Sequence, residues 1–72
     1  MIRAKFRCEK STRVANSEAL ELRAVTIGDD KSNASWSNYT PSGALTLSIT
    51  NKDAIGKLVP GQDYYLDFTP AD

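Results

Sequence analysis

Seventy-two residues, 40% of them hydrophobic and 25% charged, suffice for one small domain and argue against disorder, which needs low hydrophobicity and high net charge. Nine basic and nine acidic side chains cancel, so any pull toward nucleic acid, membrane or acidic ligand must come from a local patch. One cysteine and no histidine exclude an internal disulfide and a structural zinc site of the usual kind.

The chain opens on strict alternation over residues 2–8, with Ile2, Ala4, Phe6 and Cys8 on one face and Arg3, Lys5 and Arg7 on the other. Period two over this length predicts a half-buried strand. "STRV" extends it toward Val14, and "ANSE" supplies a turn. A second strand is predicted over 19–27. Leu20, Leu22 and Ala24 share one face, with Glu21 and Arg23 opposite. The pattern then switches, because Val25 and Ile27 fall on the Glu21 side, which asks for a bulge or for cover on both faces. A helix over "SEALELRAV", capped by Ser17, competes. The strand is preferred because the first strand needs a partner and Val-Thr-Ile follows without a break.

Gly28-Asp29-Asp30 ends that strand. A third follows over 44–50, "ALTLSIT", with Leu45, Leu47 and Ile49 inward. Residues 52–59 predict a short helix, capped by Asn51, with Asp53 in the first turn and Ile55, Leu58 and Val59 as its apolar edge. Val59-Pro60-Gly61-Gln62 fits a type II turn. A last strand over 63–69 alternates Tyr64, Leu66 and Phe68 against Tyr65, Asp67 and Thr69, and Pro70 stops it. The expected fold is a single domain over 1–72, mainly β: a small antiparallel, strongly bent sheet or partly open β-barrel with one short helix.

No constellation for catalysis emerges. Acid–base work near neutral pH most often uses histidine, which is absent, and Cys8 lies on an apolar face with nothing to activate it, as a small core residue would. Asp29-Asp30 reads as a solvated turn rather than a metal site. The triplets "NAS" at Asn33 and "NYT" at Asn38 match the glycosylation acceptor pattern, but a Ser- and Asn-rich loop yields them by chance. "MIRAKFRCEK" has no signal-peptide core and no apolar run reaches membrane-spanning length. The expectation is a non-enzymatic, intracellular protein without cofactor or metal.

Two binding surfaces stand out. Residues 28–43 form a long polar connection that holds the only Trp, and loops of that length are usually functional or disordered. Trp36 and Tyr39 either plug an open end of the sheet or anchor a partner, as Trp and Tyr in polar settings do. The reading assigns Trp36 to the plug and Tyr39, with Lys31 and Asn33, to the outward contact. The partner surface is therefore Lys31, Asn33, Trp36 and Tyr39. The alternative surface is Arg3, Lys5 and Arg7 with Tyr65, a basic stripe and stacking ring suited to single-stranded nucleic acid in an OB-like barrel. Pairing of that stripe with Glu21 and Asp67 across strands competes with it.

The segments "MIRAKFRC", "KSNASWSNYTPSGALTLSITN" and "PGQDYYLDFTPA" together resemble a group of small proteins encoded by tailed bacteriophages. That group shares an "RAKF" start, an "NKSFS..TPSG" loop and a "G..YYLDFTP" ending. Thr40 to Gly43 and Tyr64 to Pro70 match best, while Ala34 and Trp36 stand where the group has Lys and Phe. The group brings no established activity and no functional residue. The resemblance implies a phage context, in the virion or the host cytoplasm, and a protein–protein role. The partner would be a phage structural protein or a host factor, and self-association is a further option.

Overall fold

The computed structural model describes residues 2–26 and 31–71, and in it the opening alternation forms the strand on which everything else is laid. β1 runs Ile2–Val14, β2 Ser17–Ala24, β3 Ala44–Ile49 and β4 Asp63–Phe68. They build one antiparallel sheet in the order β3-β2-β1-β4. The fourth strand returns to lie beside the first, which is the Greek-key order. In the segment "SEALELRAV", Ser17–Ala24 is therefore strand, not helix. β2 stops at Ala24, before the predicted end. Val25 is buried and its N–H still bonds to the Lys5 carbonyl at 3.0 Å. Ile27 and Gly28-Asp29-Asp30 lie outside the described residues.

The inward-facing positions of β1 change from even- to odd-numbered residues at a bulge. Cys8 faces Leu22, Lys10 faces Glu21 and Ser11 faces Leu20, so Glu9 is the extra residue. Ahead of it the even-numbered side chains point inward, and after it Ser11 and Arg13 do. Unbroken alternation would drive Lys10 and Thr12 into the core, and the extra residue avoids that. Two residues, Ala15 and Asn16, then close the hairpin to β2, with Ala15 at a φ of 55°.

The core lies on that inner face. Ala4, Phe6, Cys8, Leu20 and Leu22 are buried there, with Trp36, Leu45, Ile49, Leu58, Tyr64 and Leu66 packed around them. It is covered by chain without regular structure: residues 31–43 at one end and 50–62 at the other. The molecule spans only 15 Å along its shortest axis, room for one sheet and a layer of loops. The outer face is charged and wet, as one side of an antiparallel sheet commonly is.

One expectation is met in part and one fails. Of the two forms expected, the structure is an open antiparallel sheet: its outer strands, β3 and β4, do not pair with each other. The segment that joins them lies over the inner face instead. Gly56 N–H donates to the inward-facing Glu18 carboxylate at 3.0 Å and Leu58 packs on the core, while Gly61 and Gln62 bond to the backbone of Cys8 at 2.7 and 3.0 Å and lead into β4. The short helix over 52–59 is absent. Asn51 does cap a turn, its side chain accepting from Asp53 N–H at 3.0 Å and its carbonyl from Ala54 and Ile55. Gly56 then takes a φ of 85° and gives its N–H to Glu18 rather than to the turn behind it, so no second turn forms. Gly61, at a φ of 92°, and the bond from Gln62 N–H to Val59 carbonyl at 3.1 Å fit the type II turn.

Candidate partner interface

The inner face is incompletely covered at the end where β1 begins. Ile2, Ala4 and Phe6 from β1 and Phe68 from β4 share that face, because Ile2 and Phe68 are cross-strand partners. Trp36 and Gly43 form the far wall. Together with Ala44 they line an open, almost wholly apolar groove of about 270 Å³. Phe68 is 58% and Ile2 44% exposed, so two large apolar side chains at the mouth face water.

Trp36 is held in the wall from two sides. Its ring stacks on Phe6, with centroids 6.4 Å apart, and Gly43 leaves room for both, since a Cβ there would lie 3.2 Å from Phe6 and 3.6 Å from Trp36. Its Nε1–H donates to Asn33 Oδ1 at 2.9 Å. Asn33, in turn, substitutes for strand where β2 has turned away from β1. Its Oδ1 also accepts from Lys5 N–H at 2.6 Å, and its Nδ2 donates to the carbonyls of Lys5 and Val25 at 3.0 and 3.1 Å. Ser35 adds a bond to the Arg3 carbonyl at 3.1 Å. A β1 edge that would otherwise be left without partners is thus satisfied by side chains.

The four residues expected at a partner surface therefore separate. Asn33 is 3% exposed and its polar atoms are committed within the fold, so it positions the loop rather than meeting a partner. Trp36 is half-buried between core and groove. Tyr39 is 91% exposed, and it lines with Lys31 a polar hollow of about 260 Å³ on the same loop. Ile2 and Phe68 escaped the sequence reading. Their signal was present, since both are large apolar residues at inward-facing positions of predicted strands.

The basic stripe occupies the outer face and is paired. Arg3 makes two bonds to the Asp67 carboxylate, at 2.7 and 3.0 Å, and Arg7 two to Asp63, at 2.7 and 3.3 Å. These bonds raise both arginine pKa values, and the bond from Arg3 lowers that of Asp67. Lys5 lies 3.9 Å from Asp63, Lys10 4.0 Å from Glu21 and Arg23 3.1 Å from Glu9. Arg3 also sits over the Tyr65 ring, 4.9 Å from its centroid, and occupies a face that a base would need for stacking. Glu21 pairs with Lys10 rather than with the stripe.

Cys8 is fully buried. Among the described residues no group of three or more His, Cys, Asp or Glu side chains is placed to hold a metal ion. No protein-family model, curated protein or solved structure matches this chain.

Proposed function

We propose that this protein is a non-enzymatic protein–protein interaction module that takes an apolar segment of its partner into the groove between Ile2, Phe6, Trp36 and Phe68. The observation that carries this reading is the groove itself. A chain this short has little apolar surface to spare, yet it leaves Phe68 and Ile2 largely exposed beside a half-buried Trp, and exposed apolar patches of this kind mark contact sites. Tyr39 and Lys31 on the adjoining loop supply the aromatic and charged residues found around such cores. The resemblance to small tailed-phage proteins extends the reading to a virion accessory subunit or a binder of a host factor, acting in the virion or the host cytoplasm. Single-stranded nucleic acid is the weaker reading, because the cations it would need are neutralised by neighbouring carboxylates.

The test is affinity capture from host and phage-infected lysates with the wild-type protein, compared with Ile2→Ser and Phe68→Ser. A partner held saturably by the wild type should be lost with both variants, and its purified form should shift Trp36 fluorescence on titration. Identical captures by all three proteins would remove the groove from consideration. Tight oligonucleotide binding that weakens steeply with salt would replace the reading with the nucleic acid one.

A further inference from the structure

β3 and β4 are the two outer strands, and they guard their edges differently. In β3 the direction of the free backbone groups follows from one bond. Ala24 N–H donates to the Gly43 carbonyl at 3.0 Å, so in this antiparallel register Leu45, Leu47 and Ile49 bond back to β2. Ala44, Thr46 and Ser48 then turn their N–H and C=O groups outward. Among the described residues neither covering segment bonds to that edge: residues 31–43 fasten to β1 and the end of β2, and 50–62 fasten to Glu18 and Cys8. The strand "ALTLSI" has no charge and no proline, the usual protections of an open edge. β4, "DYYLDF", carries Asp63 and Asp67, which would oppose each other across a symmetric pair centred on Tyr65.

We infer that β3 is the site of self-association, pairing antiparallel with β3 of a second copy about a two-fold axis normal to the sheet. The occupant is a second copy because the strand is self-complementary. Centred on Leu47, the pair sets Leu45 against Ile49 of the other copy and Leu47 against its own counterpart, all on the inner face. Thr46 and Ser48 meet on the outer face and exchange their outward N–H···O bonds. Every side chain meets its own kind and no charge opposes a like charge. Leu47, 41% exposed, gains its missing neighbour. The interface is isologous and closed, and it joins two inner faces into one surface with a groove toward each end.

Sedimentation velocity from micromolar to millimolar protein, with amide exchange, tests this. A saturable dimer is expected, in which Thr46 and Ser48 amides gain protection with concentration while those of Leu45, Leu47 and Ile49 are protected throughout. Ser48→Pro removes an outward donor at a place where an edge strand tolerates proline. Thr46→Lys faces Glu21 in its own chain and adds charge to the junction. Each should weaken the dimer at least tenfold with an unchanged circular dichroism spectrum, and Thr46→Lys decides the matter if Ser48→Pro fails to fold. Phe68→Ser should leave the dimer intact, which separates this interface from the groove. A monomer at every concentration, a dimer that survives both edge variants, or open-ended association would overturn the inference.

Discussion

Asn33 concentrates more of the fold in one side chain than any apolar residue does. Its amide makes four hydrogen bonds, to Lys5 N–H and carbonyl, the Val25 carbonyl and Trp36 Nε1. Asn33→Ala should cost about 3 kcal/mol, measured by urea denaturation, because it strands buried partners rather than merely losing contacts. Asn33→Asp is nearly the same shape but directs a carboxylate at two carbonyls. It should lose as much at neutral pH and recover part of the loss as acid protonates it. Among the described residues Glu18 is the other buried polar one, 1% exposed. Ser11 Oγ–H donates to it at 2.5 Å and Gly56 N–H at 3.0 Å, with Arg13 3.7 Å away. The bond from Ser11, then that from Gly56, hold its pKa below the ordinary glutamate value. A depressed folded pKa contributes stability that is complete above the unfolded value, about 4.3, and is lost as pH falls through the folded one. Acid unfolding should therefore steepen below about pH 4, and Glu18→Gln should flatten that slope. An equal slope in both proteins would assign it to other carboxylates.

Among the elements, the β1–β2 hairpin carries a local strain that the rest of the fold sustains. Ala15 holds a φ of 55° at the first loop position, a region that disfavours any residue with a Cβ. Glycine removes that penalty but loosens the unfolded chain. Ala15→Gly should accordingly raise stability by about 0.5–1 kcal/mol, read as a shifted urea midpoint at constant m-value. Gly56 is the opposite case. At a φ of 85° it ends the turn after Asn51, and any residue with a Cβ would strain the backbone there that hydrogen-bonds Glu18; the Arg13 side-chain tip, 2.9 Å from such a Cβ, can swing aside.

At the scale of the molecule, one sheet with a single covered face must draw on every covering contact. A domain of this length has roughly 4–11 kcal/mol of stability at ordinary values per residue. Trp36 is half-buried against Phe6 and the core, so Trp36→Ala should cost about 2–4 kcal/mol, somewhat less than a full core truncation, and bring the domain close to unfolding. Its fluorescence should be partly quenched by iodide, since one side of the ring lines the open groove. An unchanged melting curve for Trp36→Ala would mean that the loop adds nothing to the core.

The strand faces were legible in the sequence because alternation is local: where Ile2, Ala4, Phe6 and Cys8 point depends only on the pleat. The turns at Asn51 and Pro60-Gly61 were legible for the same reason, each set by one or two residues. The bulge at Glu9 was not read, since nothing local marks it and only the demand that Lys10 stay out of the core requires it. The short helix failed because the Gly56 N–H has a better acceptor in Glu18, 38 residues away in the chain. Whether the sheet stays open or curls toward a barrel was not legible, because alternation sets the face of each strand but not whether the two outer strands, β3 and β4, meet. Asn33 was read as part of the outward contact, and its burial follows instead from where β2 leaves β1. The groove is likewise a product of assembly: Ile2, Trp36 and Phe68 meet only once β4 pairs with β1 and the loop folds back over both.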